Sequence, residues 1–207
     1  YIQHVNYYDS SMYDRMAGEQ EIVLNMNSAL KNREFEVYFQ PKHSLDDDRI
    51  IGAEALVRWI SPDRGMISPG VFIPIFEENG FIMKLDQYVW EETCSFIHEQ
   101  MEAGVNIMPV SVNISRINIY NPELVDIFSH LVTKYNIPSE MLELEFTESA
   151  YVDNPQLMLQ IMEQLHALGF KIEMDDFGAG YSSLNMLKDV PVDVLKIDLN
   201  FLSKTSH

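Results

Sequence analysis

A chain of 207 residues, 46% of them hydrophobic, is long enough to build one domain around a real core, which excludes a disordered chain. Its 14 Lys and Arg stand against 32 Asp and Glu, a formal charge of -18, and so acidic a surface repels the backbone of DNA or RNA. A small anionic ligand stays compatible with that charge if divalent cations neutralise its phosphates and part of the carboxylate excess.

The single Cys94 excludes an intramolecular disulfide and suits a reducing compartment. With no long apolar run and no signal-peptide pattern, the expectation is a soluble, cytoplasmic chain without direct membrane contact, whatever anchor a longer parent carries.

In chain order, Ser11-Met12-Tyr13-Asp14 has the form of a capping box opening a helix. Met16, Val23 and Leu30 then recur every seven residues, with Met12 and Met26 at intermediate positions and Glu19 interrupting them. Two readings stay open for residues 1–33: a connecting helix that pairs with a partner helix in a homodimer, or a helix packed on its own domain. Residues 35–40 (FEVYFQ) alternate as a strand, and 50–59 contain a second. Ser68-Pro69 opens a helix that Gly80 stops. A longer helix runs from about Lys84 to Ala103, closed by Gly104. The strand 108–113 (MPVSVN) follows, then a helix from Asn121-Pro122 to about Tyr135. Next come a strand over 141–147, a helix from Asn154-Pro155 to Gly169, and strands over 171–175 and 194–198. Strands alternating with helices predict an α/β barrel or a doubly wound sheet. A (βα)8 barrel takes about 250 residues, so the barrel reading leaves roughly two βα units absent at the C-terminus.

The acids fall at informative places. Glu54 follows IIGA, Asn113 ends MPVSVN, Glu145 lies within LELEFTES, Asp175 and Asp176 follow KIEM, and Lys196 lies within VLKID. In a barrel the C-terminal ends of the strands converge on one rim, where active sites form. Carboxylates in such strands are costly unless paired or metal-bound. A pair of divalent cations resolves their repulsion, and oxygen donors favour Mg²⁺ or Mn²⁺ over Zn²⁺. Adjacent aspartates suit two metals, one of them bridging, as used for in-line attack at a phosphodiester. Lys196 suits orienting the attacking water or neutralising a phosphate oxygen. Singly, each residue reads as well as a rim or turn residue; their joint occurrence at successive strand ends carries the argument. The loop Asp176 to Ser183 (DFGAGYSS) has two glycines and suits a lid. It is not a P-loop, and none of the histidines has metal-ligand spacing.

Together these residues resemble a known family. Glu54-Ala55-Leu56 within GAEALVRW, YFQP (38–41), FIPIFEENG (72–80), SVNIS (111–115), LEFTES (144–149), DDFGAGYSSL (175–184) and LKID (195–198) are similar to the motifs of the EAL domain, in order, from about residue 34 to the C-terminus. The resemblance implies a modified (βα)8 TIM-type barrel whose first strand runs against the others. It implies hydrolysis of cyclic di-GMP to linear pGpG with two Mg²⁺ or Mn²⁺ ions. Carried over by motif, Glu54, Asn113, Glu145 and Asp175 resemble the ligands of one metal. Asp175 would bridge to the second, with Asp176 beside it, and Lys196 resembles the lysine that holds the catalytic water. Glu54, Asp176 and Lys196 then form the catalytic set. Arg58 and Gln40 resemble contacts to a phosphate and a guanine, and the forked donors of Arg suit a phosphate. Glu148 resembles the acid that anchors the DFG loop.

The N-terminal helix is similar to the connector joining a GGDEF-type domain to an EAL domain, which implies an upstream GGDEF or sensor domain in the parent. Three positions depart from the family: Ala179 for a usual threonine, Glu173 where a small residue is common, and Leu199 for a frequent arginine. None removes a ligand. The family carries a further glutamate and a glutamine in its last strands, so residues 34–207 are expected to be a truncated domain whose own activity is open. Two alternatives stand beside the enzyme: a non-catalytic cyclic di-GMP receptor module, and a regulatory or dimerisation element.

Overall fold

The computed structural model describes residues 10–178 and 190–199. The chain forms two compact units, one of Tyr1–Glu36 with Arg58–Phe81, the other of Val37–Val57 with Ile82–His207.

In the first unit, helix α1 (Ser10–Lys31) already includes Ser11, so it begins earlier than the capping-box reading places it. Its packed face is Ile22 and Ala29, while Met16, Val23 and Leu24 are exposed. The Met16–Val23 stripe thus lies one position away from the face that packs on this unit. The helix lies against α2 (Pro69–Asn79), and Asn79 Nδ2 donates to Met26 Sδ at 3.5 Å. Pro69 opens α2, and Gly80 closes it with φ 76°, a left-handed conformation that costs glycine little. The core is aromatic: Phe35, Trp59, Phe72 and Phe76 pack with ring centroids 5.0–6.0 Å apart. Such tilted and edge-on pairs add to the burial of their large apolar area. Trp59 Nε1 donates to Glu34 Oε2 at 3.0 Å, satisfying the one polar atom of that ring.

Two strands have residues in both units, β1 (Phe35–His43) and β2 (Ile50–Ser61). A three-residue strand, β3 (Gly65–Ile67), folds back antiparallel on the end of β2. It is too short for any periodicity to announce.

The second unit is built on β4 (Val110–Asn113), β5 (Leu142–Thr147), β6 (Lys171–Phe177) and β7 (Val194–Ile197). The sheet order is β1-β2-β4-β5-β6-β7, and each pair from β2 onward is parallel. β1 and β2 are neighbours joined only by residues 44–49, closed by a hydrogen bond from Ser44 N to Arg49 O. A parallel crossover needs a dozen or more residues, so β1 runs against the others. Helices α3 (Ile82–Glu102), α4 (Leu124–Lys134) and α6 (Pro155–Ala167) connect the parallel strands. β4 starts after Pro109, which has no N–H for the ladder but whose carbonyl accepts from Ala53 N. α4 starts three residues after Asn121, because the Asn121 side chain accepts from Glu123 N in a local turn. A short helix, α5 (Glu148–Asp153), follows β5 directly and was not expected from the sequence.

Strand alternation sorts the chemistry. On β5, Leu142, Leu144 and Phe146 share one face with Ile172 and Met174 of β6, all buried. The opposite face carries Ser111, Asn113, Glu143, Glu145, Glu173 and Asp175. Behind the apolar face, Trp90, Phe128 and Phe170 form an aromatic chain with centroids 4.5 and 5.9 Å apart. Among the described residues no helix is long and apolar enough to cross a membrane.

Candidate active site

The polar face gathers its charges at the C-terminal ends of the strands. Lys196 of β7 places Nζ 2.5 Å from Glu145 Oε1, 2.8 Å from Glu54 Oε2 and 3.8 Å from Asp175 Oδ2. Asn113 Nδ2 donates to the other oxygen of Glu54 at 3.2 Å. Five of the residues singled out from the sequence therefore meet, delivered by β2, β4, β5, β6 and β7.

Their environments differ. The Glu145 side chain is 1% exposed, against 19% for Glu54 and 30% for Asp175. Burial pushes the Glu145 carboxyl up to about 8 despite the pull of Lys196. For Lys196, burial works against the ammonium, but the hydrogen bonds to Glu145 and Glu54 outweigh it and hold the lysine above its ordinary value. Ser111 Oγ donates to Glu145 Oε2 at 3.2 Å.

Asp176 is placed by a bulge. Met174 pairs with Leu195 and Phe177 with Ile197, so β6 spends one residue more than β7 between those pairs. The extra residue lets Asp176 turn out of the ladder with φ 57°, a conformation aspartate tolerates better than most. It is exposed, beside Asp175. Its carboxyl is raised, first by burial and then by repulsion from Asp175 and Asp198. Asp198, unmarked in the sequence reading, is thus part of the same acidic edge; its N–H donates to Phe177 O at 3.1 Å.

Glu148, at the start of α5, is 3% exposed and accepts from Gly178 N at 2.6 Å, tying the residue after the bulge to the end of β5. Glu148→Ala leaves that buried N–H without a partner and is expected to cost about 1–3 kcal/mol, read as a lowered urea midpoint. An unchanged midpoint would rule out the anchoring contact. The remaining loop residues, 179–183, Ala179 among them, lie outside the described residues.

Gln40 is exposed on β1, outside the hydrogen-bonded group. Arg58 lies on β2 four residues beyond Glu54, in the first unit. Sequence reasoning missed the supports behind this cluster. Trp90 Nε1 donates to the Asn113 carbonyl at 3.0 Å. Asp86 on α3 accepts from Ser115 N at 3.0 Å and Asn118 Nδ2 at 2.8 Å, fixing the turn after β4. An aspartate in an otherwise apolar helical face was the available signal for Asp86.

Among the described residues no three His, Cys, Asp or Glu side chains stand as a ready-made metal cage. The Lys196 ammonium sits among the carboxylates instead. The donor set still fits a hard divalent cation: three carboxylates and one carboxamide, already drawn around a single positive charge.

Residues 24–207 match the family model for the EAL domain. The bifunctional diguanylate cyclase/cyclic di-GMP phosphodiesterase MucR of Pseudomonas aeruginosa is 34% identical over 201 residues, which are 97% of this chain and 29% of that protein. The cyclic di-GMP phosphodiesterase NbdA of the same organism is 33% identical over 199 residues, 96% of this chain and 25% of that protein. The chain thus spans less than a third of either relative. A solved structure of the PaMucR phosphodiesterase in complex with c-di-GMP superposes with a TM-score of 0.84 at 35% identity, covering 90% of this chain and 76% of that one. The TIM-barrel-like α/β fold expected from the sequence is the fold of that match. On motif, fold and the convergence of Glu54, Asn113, Glu145, Asp175 and Lys196 alike, the chain belongs to the EAL domain family.

Proposed function

We propose that this chain is the cyclic di-GMP-hydrolysing part of a larger cytoplasmic signalling protein, a metal-dependent phosphodiesterase releasing linear pGpG. The observation that carries the reading is the meeting of Lys196 with Glu54, Glu145 and Asp175 at 2.5–3.8 Å, with Asn113 on the far side of Glu54. Relatives named for cyclic di-GMP chemistry, and one solved with that ligand, support the substrate.

Glu54, Asn113, Glu145 and Asp175 would hold one divalent cation, Mg²⁺ or Mn²⁺, with Asp175 shared and Asp176 serving a second. When bound, such ions acidify a water and stabilise charge on the phosphoryl group. The residues of the chain do the rest. Lys196, displaced from Glu145, holds the water by its ammonium and supplies a positive charge near the scissile phosphate. Glu148 keeps the DFG segment against β5. Arg58 would take a phosphate and Gln40 a guanine. Residues 1–33 would be a connector and 34–207 the EAL domain, with a GGDEF or sensor domain upstream in the parent.

The test is incubation of the chain with cyclic di-GMP and Mg²⁺ or Mn²⁺, with an EDTA control and chromatography for pGpG. Metal-dependent pGpG is expected. Binding without product would make the chain a receptor module, and neither binding nor product would remove the cyclic di-GMP reading.

The pH dependence has a definite sign. Glu145 must be ionised to ligate, and in the metal-free chain its carboxyl is held near 8. Metal binding at pH 7 therefore expels a proton, and apparent Mn²⁺ affinity rises from pH 6 and levels off above 8. Calorimetry in buffers of different ionisation enthalpy reads that proton directly. Affinity flat over this range contradicts the assignment of Glu145.

A further inference from the structure

A second charged cluster lies on the same face of the sheet, one step further from the strand ends. Lys42 reaches in from β1 and places Nζ 2.5 and 2.7 Å from the two oxygens of Glu173, and 3.7 Å from Glu143. The Glu173 side chain is 1% exposed, so its charge has no water to rely on. Glu173 on β6 stands directly opposite Glu145 on β5 in the strand register. The proposed ligand Glu145 therefore has a lysine on each side: Lys196 bound to it, and Lys42 one carboxylate away.

We propose that Glu173 is a positioning residue for the metal centre, and that its task is to hold Lys42 away from Glu145. A metal ligand works only if no protein cation competes for its oxygens. Lys196 is one competitor and must yield when a cation binds. Lys42 would be a second, but Glu173 engages it with both oxygens and keeps it on the neighbouring strand. Glu173 also adds a fixed negative charge beside the site. Both effects favour a bound cation, so loss of Glu173 has one sign: metal binding weakens. This inference rests on the metal-binding reading of Glu54, Asn113, Glu145 and Asp175.

The experiment is Mn²⁺ titration of the full chain by calorimetry, with no turnover required. Residues that hold a metal's ligands in place typically contribute 10- to 100-fold to affinity, so Glu173→Ala is expected to weaken Mn²⁺ binding about tenfold. The double variant Lys42→Met, Glu173→Ala removes the freed lysine along with its partner. It leaves no freed lysine, although Glu143 loses its 3.7 Å contact with Lys42, and is expected to bind Mn²⁺ within about threefold of the unmodified chain, since Glu143 stands two residues back from Glu145 on β5. Recovery on removing a second residue is a result that mere structural damage by Glu173→Ala does not give. Melting curves establish that each variant is folded. If Glu173→Ala binds as tightly as the unmodified chain, the proposal falls. It falls equally if the folded double variant binds about tenfold more weakly, a test that stands even where the single variant does not fold. No Mn²⁺ binding by the unmodified chain would remove the metal reading itself, and this proposal with it.

Discussion

Glu54→Ala is expected to lower any metal-dependent cleavage of cyclic di-GMP by about 10²–10³, while the melting curve of the chain stays close to that of the unmodified protein. The activity loss follows from position. One oxygen of Glu54 takes the Asn113 amide and the other takes Lys196, so this carboxylate connects β2, β4 and β7 at the site. Without it the proposed ligand set loses a charged donor, Asn113 loses the acceptor that orients its amide, and Lys196 is left to Glu145 and Asp175. The fold persists because β2 is held by its backbone pairing with β4 at Ala53, Glu54 and Ala55, which does not depend on the side chain. The side chain is also partly exposed, so its removal leaves no dry cavity. Chromatography for pGpG checks the first half of the expectation and thermal melting the second. Cleavage that survived the substitution would show that the site lies elsewhere.

The meeting of the proposed ligands was legible in the sequence because strand periodicity is strict. An acid on the polar face of one parallel strand lies near the polar residues of its neighbours, so Glu54, Asn113, Glu145, Asp175 and Lys196 could be brought to one rim before any coordinates. What it left out has a physical reason in each case. The register of β6 against β7 slips at the bulge, and no local signal marks a bulge, so the outward turn of Asp176 and its nearness to Asp198 could not be read. The Lys42–Glu173 pair spans 131 positions of chain, and only the fold makes them partners. On α1 the Met16–Val23 stripe does not pack on its own unit; Ile22 and Ala29 do, and a partner helix for the stripe stays an open reading. Met16 is in fact exposed, and the small Ala29 is the buried contact. Backbone chemistry accounts for the shifted ends of β4 and α4: Pro109 lacks a donor, and Asn121 closes a turn before the helix begins.

The support behind Asn113 yields the second large effect, on stability. Trp90 is fully buried on α3, packs its ring 4.5 Å from that of Phe128, and donates its indole N–H to the Asn113 carbonyl. Trp90→Ala empties the volume of a large aromatic ring at the end of the Trp90–Phe128–Phe170 chain and leaves a carbonyl without its donor. Such truncations cost about 3–5 kcal/mol, and here the unmet hydrogen bond adds to the cavity. The urea midpoint should fall by the corresponding amount with an unchanged slope. Trp90→Phe separates the two contributions, since it keeps most of the packing and loses the donor, and is expected to cost about 1–3 kcal/mol. It also tests whether the helix layer reaches the chemistry. With the Asn113 carbonyl released, the end of β4 is free to shift, and the amide that orients Glu54 shifts with it. Mn²⁺ affinity of Trp90→Phe should then drop about tenfold, as for other residues that hold a ligand in place. If Trp90 merely fills space, the folded Phe variant will bind the metal as tightly as the unmodified chain, and the link from helix α3 through Asn113 to Glu54 is lost.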